Sequence, residues 1–190
     1  MVATKPMTLD QFLELPETEP PSEFVCGRIV EKPMPTWFHS RIAARLAALL
    51  EMYLMEHDEG YVNVELRHAA RAEARAYVPD LSVTRWERAP STLAERREGA
   101  IETTPDLAVE IVSPDDRPGR VADKLAFYLR AGVPLVWIID PDDRTVSVYR
   151  PTEQVRVLSE ADTLDAAPVL ASFSLQLAGL FGVLSERARD

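Results

Sequence analysis

Pro105-Asp106-Leu107-Ala108-Val109-Glu110-Ile111-Val112-Ser113-Pro114-Asp115-Asp116 is the stretch from which the fold can be read. Its first eight residues have the length and β-branched content of a strand, and the Ser-Pro-Asp-Asp cluster that follows is turn-forming. Alternation with period two sets Asp106, Ala108, Glu110 and Val112 on one face and Leu107, Val109 and Ile111 on the other, so two carboxylates point to one side. An unpaired, ionised carboxylate inside a core costs several kcal/mol, so a buried acid faces a partner, a metal or a cleft. Upstream, Tyr77-Val78-Pro79-Asp80-Leu81-Ser82-Val83-Thr84 reads as a second strand carrying an acid. If the two strands pair, Asp80 and Glu110 converge.

Downstream, Gly119 to Ala131 reads as an amphipathic helix with Val121, Leu125, Tyr128 and Leu129 inward and Gly132 as its stop. Lys124 lies about 85° from the centre of that stripe, within reach of either sheet or solvent. Pro134 to Asp140 is almost wholly apolar, a strand covered on both faces, and strand-helix-strand order predicts a parallel pair with a right-handed crossover. Asp140-Pro-Asp-Asp turns the chain into an antiparallel strand over Thr145–Arg150. A strand near Val155–Leu158, a turn at Asp162 and a helix over Leu175–Phe181 complete that half.

Before the Asp80 strand, Thr8 and Gln11 have capping-box spacing ahead of a short helix with Leu9, Phe12, Leu13 and Leu15. Glu23 to Glu31 reads as a hairpin turning at Cys26-Gly27. Phe38 to Leu54 is the clearest helix, with Ile42, Leu46, Leu49, Leu50 and Tyr53 on one stripe. His39, near its start, is placed where it could assist chemistry, but a lone histidine at a helix start reads more readily as a surface or capping residue. Tyr61–Arg67 reads as a strand forming a hairpin with the Asp80 strand. Glu87–Thr104 reads as a mobile loop on the active face, with one possible helical turn over Thr92–Arg97.

The 190 residues suit a single domain over 1–190, and 46% hydrophobic content is ample for a core. With 21 basic and 31 acidic residues the net charge is −10, which argues against a broad electrostatic grip on nucleic acid but leaves room for a local basic cleft. One cysteine, Cys26, rules out an intramolecular disulfide, and with three scattered histidines it makes no zinc cluster. The N-terminus lacks an apolar targeting segment, and the reading is of a soluble cytoplasmic protein.

Two carboxylates about 4 Å apart repel by roughly 4 kcal/mol at an effective dielectric of 20, so the pair shares a proton or binds a cation. Oxygen donors favour magnesium or manganese, held by Asp80, Glu110 and a backbone carbonyl, that of Ile111. Such an ion acidifies bound water and stabilises charge on a phosphate, with a lysine alongside. Asp106 and Asp140 fit strand-end caps better.

The ordered set Met7-Thr-Leu-Asp-Gln-Phe-Leu, Glu23-Phe-Val-Cys-Gly-Arg-Ile-Val, Ser40 opening a long helix, Pro79-Asp80-Leu-Ser-Val, Asp106-Leu-Ala-Val-Glu110-Ile-Val-Ser-Pro, Lys124-Leu-Ala-Phe-Tyr and Val136-Trp-Ile-Ile-Asp-Pro141 resembles the Uma family of restriction endonucleases, within the PD-(D/E)XK nuclease superfamily. The resemblance runs from about Met7 to Phe181. It implies an α/β (α+β-like), restriction-endonuclease-like core, a mixed central β-sheet flanked by α-helices with a metal-dependent phosphodiesterase site at one edge. Carried over, Asp80 and Glu110 are the metal ligands and Glu23 a supporting acid. Two positions depart from the pattern: Val112 stands where the superfamily has its lysine, which makes Lys124 the candidate replacement, and Cys26 stands where an acidic or amide residue is usual.

Three readings stay open: a Mg2+- or Mn2+-dependent DNA endonuclease using Asp80, Glu110, Lys124 and Glu23; a nuclease fold turned to binding or regulation; and a metal-dependent hydrolase of a small phosphorylated substrate. A cleft lined by Arg28, Lys32, Arg67 and Lys124 favours DNA, and a closed pocket favours the third. The family resemblance and the symmetry of duplex DNA imply a homodimer, with an apolar edge strand or the Trp137 strand as its contact.

Overall fold

The computed structural model describes residues 7–97, 99–114 and 116–185, so Asp115 of the opening stretch lies outside the described residues. In chain order the elements are α1 (Leu9–Leu13), β1 (Ser22–Val25), β2 (Arg28–Glu31), α2 (Trp37–His57), β3 (Gly60–Val64), β4 (Arg67–Ala70), β5 (Arg75–Tyr77), β6 (Leu81–Arg85), β7 (Ala100–Ile101), β8 (Leu107–Ile111), α3 (Pro118–Arg130), β9 (Leu135–Asp140), β10 (Thr145–Tyr149), β11 (Arg156–Ser159), β12 (Thr163–Ala166), β13 (Leu170–Gln176) and α4 (Leu177–Phe181). A six-stranded mixed sheet has the order β11-β10-β9-β8-β6-β3, a five-stranded sheet the order β2-β1-β5-β4-β7, and β12-β13 form a separate hairpin.

The expected mixed α/β architecture is present. Strand β8 pairs parallel with β9 across α3 and antiparallel with β6. Its alternation divides the core: Leu107, Val109 and Ile111 pack with Ile42, Leu46, Leu50 and Leu54 of α2, together with Leu164, Phe173 and Leu180 of the C-terminal elements. On the other face Ala108 and Val136 pack with Phe127 and Tyr128 of α3 and with Tyr77. Glu110 therefore faces α3. The capping box at Thr8 and Gln11 is made, with reciprocal bonds of 3.0 and 3.2 Å. Cys26 and Gly27 both have positive φ, 50° and 78°, at the tight β1-β2 turn.

Several expected boundaries move. Tyr77–Thr84 is not one strand: β5 ends at Tyr77 in the five-stranded sheet, β6 begins at Leu81 in the six-stranded one, and Val78-Pro79-Asp80 carries the chain between them. Pro79 has no N–H for a ladder, which suits it to this break. Tyr61–Arg67 divides likewise, at Glu65 with φ 51°, so only β3 forms the expected pair with β6. At the start of β3, a Cβ on Gly60 would lie 2.3 Å from the carbonyl oxygen of Thr84, so only glycine permits this close approach. Leu175–Phe181 is helical only from Leu177, because β13 runs through Gln176. Among the described residues, the Glu87–Thr104 segment begins inside a 3₁₀ turn over Trp86–Arg88 and holds another over Glu95–Arg97 and β7, which pairs parallel with β4. It is joined to β4 and, through Glu102, to Arg71, and none of its described residues lines the pocket that holds Asp80. Trp137 is fully buried in the interior strand β9, so that strand offers no surface for self-association.

Candidate active site

The β6-β8 register pairs Leu81 with Val109, and one step further it sets Asp80 opposite Glu110 at the strand ends. Asp80 is held from three directions. Its Oδ2 accepts from the backbone N–H of Ile111 at 2.6 Å and lies 3.2 Å from His39 Nε2, while its Oδ1 accepts from Lys32 Nζ at 2.7 Å. Burial opposes ionisation, yet the His39 contact and the Lys32 ammonium hold its carboxyl well below the usual range. Lys32 also reaches Glu65 Oε1 at 3.4 Å, and Asp80 keeps its ammonium charged against the pull of burial.

Glu110 meets α3. Lys124 Nζ donates to its Oε2 and the Tyr128 hydroxyl to its Oε1, both at 2.6 Å. Lys124 and Tyr128 are four residues apart, one helical turn on the same face, which is how a single helix grips both carboxylate oxygens. Burial pushes the Glu110 carboxyl up to about 7 despite the Lys124 ammonium, with the negative charge of Asp80 adding to the rise. Lys124 is itself buried, and the charges of Glu110, Glu23 and Asp80 raise its pKa above the ordinary lysine value.

From β1, Glu23 Oε1 lies 2.9 Å from Lys124 Nζ and accepts from the Val78 N–H at 3.3 Å, while its Oε2 accepts from Arg120 at 3.1 Å. Burial would raise its pKa, but the two cations hold it below the ordinary value. Glu23 is thus joined to Glu110 through Lys124, and it lies behind the pocket wall.

The pocket itself is lined by Lys32, His39, Glu65, Asp80, Glu110, Ile111, Val112, Arg120 and Lys124, among others, and its volume is about 30 Å³. Of the four cations expected around a cleft, Lys32 and Lys124 are there and two are elsewhere. Arg28 is exposed on β2, and Arg67 is buried against Glu17 and the Ser22 carbonyl, 3.2 Å away. Asp106 does not share the space of Glu110, because its two oxygens accept from the Arg85 N–H at 2.8 Å and from Arg88 at 3.0 Å, where it caps the end of β6. Asp140 is likewise a turn former, accepting from the N–H groups of Asp142 and Asp143.

Three participants go beyond the sequence reading. His39 is buried on Asp80 and not at the surface, and its Nδ1 has no partner among the described residues. Tyr128 was assigned to the apolar stripe, although its i+4 spacing from Lys124 is a signal that links the two. Lys32 lines the pocket as expected and also neutralises Asp80; nothing local in the sequence signals that pairing.

A hard divalent cation suits this donor set. Among the described residues no three His, Cys, Asp or Glu side chains are gathered closely enough to hold an ion alone. Magnesium commonly uses one or two carboxylates and keeps several waters, which Asp80, Glu110 and a pocket with room for about two water molecules can accommodate.

Compared with known proteins, residues 9–178 match the family model described as "Putative restriction endonuclease", Uma2. The chain belongs to the Uma2 family. A crystal structure of a protein from Anabaena variabilis ATCC 29413, described as "a putative nuclease belonging to DUF820", is similar at a TM-score of 0.86 and 36% identity, covering 95% of this Uma2 chain and 100% of the other. Curated proteins give no match. No helix among the described residues is long and apolar enough to cross a membrane.

Proposed function

We propose that this Uma2 protein is a Mg2+- or Mn2+-dependent endonuclease that hydrolyses phosphodiester bonds of DNA within one domain, at a site built from Asp80, Glu110, Lys124 and Glu23. The observation that carries this is that Asp80 and Glu110, one step beyond the last register pair of β6 and β8, line one pocket, with Lys124 Nζ 2.6 Å from Glu110. In this reading Asp80, Glu110 and the main-chain carbonyl of Ile111 hold the ion. When bound, it acts as a Lewis acid that acidifies water and offsets phosphate charge.

The side chains have separable tasks. Lys32 and His39 keep Asp80 ionised. Lys124 stays protonated, so it serves as a fixed positive charge for the phosphate oxygens and not as a base. Burial raises the Glu110 carboxyl in the ion-free protein, and because a ligand must be ionised, holding the ion would displace its proton. Glu23 does not line the pocket and acts as a positioning residue, holding Lys124 toward Glu110. Water attacks phosphorus in line with the departing sugar oxygen.

The small-substrate reading is disfavoured by volume. About 30 Å³ admits water, an ion or phosphate oxygens but not a whole metabolite, so a substrate lies across the opening as a polymer does. Cutting both strands of a duplex would call for a homodimer with two symmetry-related sites. Calorimetry with Mn2+ followed by plasmid nicking, on wild type and Glu110→Ala, tests the proposal. Ion binding and nicking that both disappear in the variant support it, whereas wild-type protein that binds no ion, or leaves both plasmid and single-stranded DNA intact, refutes it.

A further inference from the structure

Beside the proposed catalytic pocket lies a second hollow, of about 180 Å³, lined by Trp37, Phe38, Val112, two prolines and, as its one charged residue, Asp142, among others. Val112 belongs to both linings and forms the wall between them. Trp37 is 61% exposed and Phe38 39%, although α2 has an ample apolar stripe facing inward. Their rings meet edge to face, with centroids 5.6 Å apart and planes at 61°, and the Arg41 guanidinium stands 5.8 Å from the Trp37 ring. Two residues along the same helix, His39 contacts Asp80. An exposed aromatic pair is therefore tied to the helix turn that supports the proposed metal ligand.

The charge balance bears on what occupies this hollow. The protein carries −10 overall, and the pocket cations Lys32, Lys124 and Arg120 are already paired with Asp80, Glu110 and Glu23. Phosphate attraction alone gives a weak hold under these conditions. Stacking does not depend on net charge, and every base offers a flat face to an aromatic ring. A base paired within a duplex keeps that face against its neighbours, whereas an unpaired base is free to present it.

Resting on the nuclease reading above, we propose that Trp37 and Phe38 form a stacking subsite for an unpaired nucleobase next to the phosphate held in the pocket, which makes single-stranded nucleic acid the preferred substrate class. One strand needs one site, so this preference operates without a dimer.

The test is binding in EDTA, which separates recognition from cleavage. Fluorescence anisotropy would follow a labelled oligothymidylate, a hairpin duplex of equal length and an abasic oligomer, each on wild type, Trp37→Ala and Trp37→Phe. The expected result is tighter binding of oligothymidylate than of duplex or abasic oligomer, a loss of about tenfold or more in Trp37→Ala for oligothymidylate alone, and recovery in Trp37→Phe. Equal affinity of Trp37→Ala and wild type for oligothymidylate overturns the stacking subsite while leaving the nuclease reading intact. Equal or tighter binding of duplex by wild type overturns the substrate class. Absence of all nucleic-acid binding by wild type overturns both readings. A change from dimer to monomer in Trp37→Ala, seen by sedimentation with oligothymidylate affinity unchanged, would assign the patch to a second copy of the chain.

Discussion

Replacing Lys124 by Met removes one ammonium from between two buried carboxylates, 2.6 Å from Glu110 and 2.9 Å from Glu23. Taking one partner out of a buried ion pair costs about 3–5 kcal/mol, because the remaining charge is left uncompensated. The two acids do not share this cost equally. Glu23 keeps Arg120 at 3.1 Å, whereas Glu110 keeps as hydrogen-bond donor only the neutral Tyr128 hydroxyl, with the Lys32 charge paired to Asp80, and escapes by taking up a proton. In the wild type the Glu110 carboxyl is raised from 4.5 to about 7. A carboxyl raised on folding contributes stability that is fully present below pH 4.5 and lost as pH climbs through 7, a span of about 3 kcal/mol at 1.36 kcal/mol per pH unit. Without Lys124 the folded value rises further, so the deficit of Lys124→Met is greatest near pH 8 and shrinks toward pH 5, where Glu110 holds its proton in both proteins. Glu110→Gln in the same background mimics that protonated form at every pH, and it should recover about 2 kcal/mol at pH 8 and little at pH 5. Urea unfolding in EDTA at the two pH values, on wild type, Lys124→Met and Lys124→Met/Glu110→Gln, measures this. A double variant no more stable than Lys124→Met at pH 8 would refute the reasoning, since the loss could not then originate in the stranded Glu110 charge.

Other perturbations reach other parts of the same arrangement. His68, buried between the Thr103 carbonyl at 2.8 Å and the Ser82 hydroxyl at 3.0 Å, is depressed by desolvation to about 4. Its contribution to stability is fully present above pH 6.5 and lost as pH falls through 4, so wild type should lose about 3 kcal/mol more than His68→Gln between pH 7 and pH 4 in urea unfolding. In the proposed site the Lys32 ammonium, 2.7 Å from Asp80 Oδ1, would compete with a divalent ion, so Lys32→Met should bind Mn2+ about tenfold more tightly by calorimetry; weaker binding would make Lys32 a support of the ion and not its competitor. Tyr128→Phe removes a hydrogen bond to Glu110, which should lower stability at pH 8 by about 1.5–3 kcal/mol and move any pH–rate limb assigned to Glu110 upward.

How far the sequence could be read follows from the range of the forces that leave marks in it. Alternation along β8 is a local, period-two property of a strand sandwiched between helices, and it assigned Leu107, Val109 and Ile111 to one face and Glu110 to the other. The apolar stripe of α3 was equally plain, yet periodicity reports only that a position faces inward, so it could not separate Phe127, which packs, from Tyr128, whose hydroxyl ends on Glu110. Lys124 was ambiguous because a four-carbon stem reaches sheet or solvent from the same backbone position. Asp80 and Glu110 line one pocket, but the split of Tyr77–Thr84 between two sheets is a tertiary event signalled only by Pro79.

Lys32 and His39 mark where local reading ends. They lie 48 and 41 residues from Asp80 in sequence and flank an irregular stretch, Pro33 to Thr36, whose path is set by packing and not by periodicity. The same stretch delivers His39 to Asp80 and leaves Trp37 and Phe38 in solvent at the rim. Burying Trp37 would require rotating the first turn of α2 by roughly half a circle, since Trp37 and His39 stand about 200° apart on a helix, and burying Phe38 by about a quarter. That rotation would withdraw His39 from the carboxylate it supports. Exposure of the aromatic pair is thus coupled to placement of the histidine, and a site that keeps His39 on Asp80 presents the two rings beside the pocket.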